Sequence, residues 1–206
     1  MNDPHRITTL EQLRERVGLP HPATAGKVLT SLDAEARRFI ARSPLIVLAT
    51  TDDAGGLDTS PKGDDPGFVL VEDERTLVIP DRPGNKLAYG HENIIATGRV
   101  GILFLVPDTP ETLRINGRAE LTRDPALLER LAARGKPAVL ATRIFIEECF
   151  FHCGKAFIRS RLWQPDSWPG AAKVSFGRMY AARAGGDAAM ADAIDEAIAK
   201  DYRDNL

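Results

Sequence analysis

The sequence predicts one mainly β domain with flanking helices, an α+β arrangement, and three observations carry that prediction. Residues 112–121 alternate: Leu113, Ile115, Gly117, Ala119 and Leu121 point one way, and Thr112, Arg114, Asn116, Arg118 and Glu120 the other. That period of two belongs to a strand with one face buried. Residues 100–106, VGILFLV, are apolar on both faces, so this strand must be covered by a barrel interior on one side and by something else on the outside. Helical spacing is confined to the two ends of the chain and a few short connections.

The elements follow in order. Thr8 and Glu11 read as a capping box, with Leu10, Leu13 and Val17 on one helical face and Gly18 and Pro20 as the stop. Ser31 is placed to cap a second helix that buries Leu32, Ala36, Phe39 and Ile40 and halts before Pro44. Residues 45–50 form a strand, and 52–56, DDAGG, a turn. Residues 57–63 are extended, and Pro61 cannot donate to a ladder, so it marks an edge or a bulge. Residues 68–71 and 76–79 make a hairpin, and a short helical stretch follows Lys86. Asp124-Pro125 opens a helix carrying Leu127, Leu128 and Leu131. Residues 138–146 are a strand, 154–163 helical, 163–176 irregular, and 188–202 a closing helix with Met190, Ile194, Ile198 and Tyr202 on one face.

Composition narrows the function. With 206 residues the chain can bury a real core, and 43% hydrophobic with 27% charged residues is ordinary for a globular protein. A formal charge of −2 gives no field that would favour nucleic acid or an anionic membrane. Neither a signal core nor a membrane-spanning apolar run is visible, so a cytoplasmic protein with no membrane partner is expected. The two cysteines are too few for a disulfide framework. No Walker loop, nucleophile elbow or H-E-x-x-H motif is present.

Two segments carry candidate chemistry. In residues 76–94, TLVIPDRPGNKLAYGHENI, an apolar strand runs into Arg82, Gly84, Asn85 and Lys86 and then into a helix start. Arg82 can clasp a phosphate with two parallel hydrogen bonds, Lys86 adds a point charge, and Asn85 and the helix start offer donors. A surface turn with two solvated cations would carry the same residues. Asp58 to Asp64, DTSPKGD, is a polar strand end with one cation, suited to stabilising negative charge that develops on a bound ligand. Equally, Pro61 and Lys62 would protect an exposed edge strand. Cys149, His152 and Cys153 offer three soft ligands without a fourth, so Cys149 is read as a small hydrophobe and no metal site is expected. Trp163 and Trp168 serve as ligand cover or as aromatic anchors. His5, His21 and His91 have no evident partners and are read as surface residues.

Taken in order, SPKGD, LVIPDRPGNKL, VGILFLVP and TLRINGRAEL resemble the core of the pyridoxamine 5′-phosphate oxidase class, and EECFFHCGKAFIRSRLW is similar to the tail of a subgroup of probable FMN-dependent proteins within it. The resemblance implies a six- to seven-stranded split β-barrel that binds FMN. It divides a single domain, 1–206, into N-terminal helices (1–43), barrel core (44–153) and helical C-terminal extension (154–206). Arg82 matches the family's phosphate-binding arginine, and Asn85 and Lys86 its further phosphate and ribityl contacts. Ser60, Pro61, Lys62 and Gly63 match the strand beside the flavin ring, and Thr112 and Arg114 a polar strand face. His152 and Lys155 are placed to reach a ligand pocket, that of their own chain or of the partner chain, and the resemblance implies FMN at a homodimer interface. That interface would cover the outer face of residues 100–106. The basic strand and the closely spaced C-terminal Arg and His of the true oxidases are missing, so the implied function is an FMN-dependent oxidoreductase acting on an undefined small molecule, with no catalytic residue assigned. An F420-dependent reductase on the same fold and a non-enzymatic flavin- or haem-binding protein are the alternatives.

Overall fold

A computed structural model describes residue 3 and residues 5–204. Three short helices, α1 (Leu10–Val17), α2 (Pro22–Ala25) and α3 (Ala34–Ile40), precede the strands β1 (Leu45–Thr51), β2 (Leu57–Gly63), β3 (Leu70–Val71) and β4 (Thr76–Asp81). Helix α4 (Tyr89–Thr97) leads to β5 (Arg99–Leu105) and β6 (Thr112–Thr122), and α5 (Pro125–Arg130) to β7 (Leu140–His152). The chain closes with α6 (Lys155–Ser160), a 3-10 turn (Pro165–Ser167), α7 (Phe176–Ala184) and α8 (Ala188–Asp204).

The strands form one antiparallel sheet in the order β2-β1-β5-β6-β7-β4-β3. Its interior face carries Ile46, Leu48, Ile102, Phe104, Leu113, Ile115 and Ile144, all at most 2% exposed. Leu32, Ala36 and Ile40 from α3 and the segment before it, with Ile94 from α4, pack on the same core. The sheet rolls up until the ends of β2 and β4, far apart in strand order, face each other. There Lys62 Nζ lies 2.6 Å from Asp81 Oδ1, and Arg82 Nε 2.7 Å from Asp64 Oδ2. Side-chain ion pairs rather than a backbone ladder span this seam, which makes the molecule the expected split β-barrel with flanking helices.

The edge position of Pro61 follows: β2 is terminal in the sheet and Pro61 is paired only with Val47 of β1. Several local expectations shift. The capping box of α1 is Thr9 with Gln12, not Thr8 with Glu11. Helix α3 is capped by Asp33, whose carboxylate accepts from Ala36 N at 2.7 Å, not by Ser31. Leu32 is pinned in the core, its N–H donating to the Glu74 carbonyl, so the chain can turn helical only after it. The hairpin strand expected at 68–71 shrinks to Leu70–Val71, and the helix expected at 154–163 to Lys155–Ser160. An unforeseen helix, α7, starts at Phe176.

Strand β7 runs six residues past the expected end at Ile146 because a bulge hides its period. Asn116 pairs with Glu148 but Gly117 pairs with Ile146, so Glu147 is the extra residue. The inward series Ile144, Ile146 therefore resumes at Cys149, one position out of phase. Gly117 is what lets the bulge close, since a Cβ there would lie 2.1 Å from the Phe145 carbonyl oxygen.

Cys149 is 1% exposed in the core cluster and Cys153 is exposed. Burial, with the Asp33 charge adding, pushes the Cys149 thiol up to about 11. Since the thiolate is the nucleophile, a thiol reagent at pH 8 should label Cys153 promptly and Cys149 only after denaturation. Two equivalents reacting at one rate in the native protein would contradict this packing.

Candidate functional site

The barrel seam opens into a cleft of about 880 Å³. One wall is the edge strand β2 with Asp58, Ser60, Pro61 and Lys62; the other is the loop from Asp81 through Ala88, continuing into the first turn of α4. Leu48 and the β7 start, Val139 and Leu140, contribute apolar surface. The volume falls in the range of small-molecule and cofactor sites.

The loop is held by identifiable interactions. Lys86 and Ala88 both have left-handed backbones (φ 63° and 56°), and Asn85 Oδ1 accepts from Leu87 N at 3.0 Å. Because Ala88 at the cap position has no capping side chain, the N–H groups of Tyr89 and Gly90 have no partner among the described residues. These free donors at a nine-residue helix start, beside Lys86, suit an anionic group. Helix α4 is fastened to the barrel by Asn93 Nδ2 donating to Thr50 Oγ1 at 3.0 Å and by Thr97 Oγ1 donating to the Thr51 carbonyl at 2.8 Å. Gly90 permits this seating, as a Cβ there would come within 3.1 Å of Asp58 Oδ2.

The cations of the cleft are not equivalent. Lys62 is paired with Asp81. Arg82 gives Nε to Asp64 and Nη1 to the Leu131 carbonyl at 2.9 Å, leaving Nη2 without a partner among the described residues. A side-on clasp through Nε is therefore closed, and only the far end of the guanidinium can meet a ligand. Lys86 has no ion-pair partner among the described residues.

Of the sequence-expected site residues, Ser60, Pro61, Lys62, Arg82, Asn85 and Lys86 share this cleft, and Gly63 lines an adjoining recess of about 210 Å³. The others lie elsewhere in the chain. Thr112 pairs with His152, at the opposite end of β7 from Leu140, and along a strand the twelve steps between them span roughly 40 Å. Thr112 is buried, while Arg114 and Lys155 are exposed. Arg114 and Lys27 lie 5.5 and 5.1 Å from the Phe150 ring centre, with the His152 ring also beside it. Burial, then the charges of Lys27 and Arg114, lowers the His152 pKa.

The place of His91 and the roles of two seam acids are beyond the sequence reading. His91, expected at the surface, lines the cleft with Nε2 buried, unbonded, and 3.6 Å from Asp81 Oδ1. Asp81 and Asp64 are the acids that hold the cationic side chains; their partners lie 19 and 18 residues away in sequence, so no local pattern announces them. Neither tryptophan lines the cleft: Trp163 Nε1 donates to the Thr109 carbonyl in the β5–β6 connection at 2.9 Å, and Trp168 Nε1 to the Arg161 carbonyl of its own segment at 3.2 Å.

A family model described as pyridoxamine 5′-phosphate oxidase matches residues 32–153, more than half of the chain. The chain belongs to that family. The pyridoxamine 5′-phosphate oxidase match begins at Leu32, the first buried core residue, and ends just after β7, so it contains the whole sheet and the cleft. A comparison with curated proteins found no match. Among solved structures, HupZ of Group A Streptococcus is similar at 20% identity, covering 58% of this chain and 93% of its own, with a TM-score of 0.48. A putative pyridoxamine 5′-phosphate oxidase from Lactobacillus delbrueckii is 25% identical over 59% of this chain and 95% of its own, TM-score 0.47. An FMN-binding protein from Syntrophomonas wolfei is 12% identical over 69% and 95%, TM-score 0.42. No helix among the described residues is long and apolar enough to cross a membrane.

Proposed function

We propose that this chain is an FMN-binding flavoprotein and works as an FMN-dependent oxidoreductase. The observation that carries the reading is the meeting, in one cleft, of the Arg82, Asn85 and Lys86 loop, the free N–H groups of Tyr89 and Gly90, and the edge strand Ser60 to Lys62. The donor set fits a phosphate monoester: an unpaired ammonium, the open end of a guanidinium and two backbone N–H groups. Gly63 and the β2 residues before it would lie along the ring, with the Lys62–Asp81 pair beside it. FMN, when bound, supplies hydride and electron transfer; the chain binds it, orients it and shields it from water.

The reading extends to a homodimer. Leu45, Leu103 and Leu105 leave the outer face of β1 and β5 apolar and only partly covered. In a two-fold dimer Arg114, His152 and Lys155 would serve the cleft of the other copy, which accounts for their distance from the cleft of their own.

The test is a titration of FMN into the colourless protein, followed by flavin absorbance and fluorescence. Saturation near one FMN per chain is expected, and Lys86→Gln should weaken binding by about tenfold to a hundredfold, the range for a hydrogen bond to a charged group. Absence of FMN binding would defeat the reading, and saturation by F420 instead would move it to the deazaflavin.

A further inference from the structure

The seam holds a carboxylate that the phosphate reading alone leaves without a purpose. Asp64, at the end of SPKGD just beyond β2, has a side chain only 3% exposed. Its two oxygens are fully engaged: Oδ2 with Arg82 Nε at 2.7 Å, and Oδ1 with the Asp65 N–H at 3.0 Å and Arg134 Nη2 at 3.3 Å. Its backbone N–H is fixed too, donating to the Pro44 carbonyl at 3.1 Å. Arg82, one-quarter exposed, is thereby gripped at Nε by Asp64 and at Nη1 by Leu131. A long, flexible side chain in the wall of a binding cleft has been reduced to one orientation.

We infer that Asp64 is a positioning residue for phosphate recognition: it holds Arg82 so that the Nη2 end of the guanidinium is kept for the ligand, and so makes the cleft select phosphorylated flavin over its unphosphorylated form. The inference rests on the FMN reading and deepens it. Two effects of Asp64 oppose each other. Its negative charge, so close to the site, weakens the field that attracts a phosphate. Its grip removes the rotamer entropy that Arg82 would otherwise lose on binding, and pre-organised donors bind more tightly. The short, buried, doubly supported geometry makes orientation the larger effect. A third contact, from Arg134, reaches Asp64 but not Arg82; its side chain is half exposed, so it adds charge balance without fixing the guanidinium.

The experiment compares dissociation constants for FMN and riboflavin in the wild-type protein, Asp64→Asn and Arg134→Gln, with thermal midpoints measured alongside. The wild type should prefer FMN. In Asp64→Asn the FMN constant should rise by about tenfold, as for a disturbed charge-assisted contact, with riboflavin changed less than about twofold. Arg134→Gln should leave the FMN-to-riboflavin ratio where it was. Should Asp64→Asn not fold, Asp64→Glu, which keeps the charge but displaces it, reads the same ratio of dissociation constants and should raise it. Equal loss of both ligands would make Asp64 a structural staple and overturn the inference while leaving the FMN reading intact. Tighter FMN binding in Asp64→Asn would show that charge outweighs orientation and would overturn it as well. A wild type that binds neither flavin removes both readings together.

Discussion

Arg82→Ala is expected to lower the unfolding free energy by about 2–3 kcal/mol at pH 7, because it strips a buried carboxylate of its principal partner. The range sits below that for a fully broken buried pair since Arg134 still reaches Asp64 Oδ1 at 3.3 Å. Burial by itself pushes the Asp64 carboxyl up; hydrogen bonds from Arg82 and the Asp65 N–H, with the charges of Arg82 and Arg134, outweigh it and hold the carboxyl below its usual value. A depressed carboxyl contributes stability above its unfolded pKa of about 3.9 and loses it as the pH falls through the lower folded value. Without Arg82 the burial effect is no longer outweighed to the same extent, so the variant suffers most where Asp64 is ionised. The gap between wild type and variant should therefore be widest near neutrality and narrow once Asp64 is protonated. Urea unfolding at pH 7 and at about pH 3.5 checks it. A deficit of the same size at both would mean that lost packing of the Arg82 stem, not the ion pair, stabilises the seam.

Gly117→Ala is expected to cost about 3 kcal/mol, the upper end for overpacking, and to lower the thermal midpoint by about 6–12 °C for a chain of this size. The added Cβ would stand 2.1 Å from the Phe145 carbonyl oxygen, a backbone atom inside the longest ladder of the sheet, so neither strand can yield without breaking pairing at the bulge. Gly101→Ala is the contrast. Its Cβ would meet the Asn116 side-chain oxygen at 3.2 Å, an atom that can rotate away, and less than about 1 kcal/mol should be lost. Matching losses in the two variants would show that β-strand glycines matter here for chain entropy rather than for close approach.

Both variants probe features that are invisible over a short window. Strands β1, β5 and β6 were legible because an alternating or two-faced apolar run is a local property, and each kept its expected place to within a residue or two. Strand β7 was cut short because one extra residue at Glu147 inverts the inward face, and the bulge depends on a glycine in another strand. Helix α7 carries a signal the sequence does display, the N-cap Ser175, whose Oγ accepts from Arg178 N at 3.0 Å; Asp195 of α8 reinforces that first turn, accepting from Ser175 Oγ at 2.6 Å and from Gly177 N at 2.7 Å. That reinforcing carboxylate lies twenty residues down the chain from Ser175.

The candidate site divides along the same line. Residue type and spacing in DTSPKGD and PDRPGNK were enough to name the cationic loop and the polar edge strand, since a phosphate needs donors that short peptides can display. What the residues at those positions do was decided by tertiary structure. Closing the barrel brought β2 against the end of β4, assigned Lys62 to Asp81 and Arg82 to Asp64, and left Lys86 as the unpaired cation among them. The same closure carried His91 into the cleft and kept Arg114, His152 and Lys155 out of it. Local chemistry determines which groups a chain can offer; how the sheet rolls determines which of their charges are already spent.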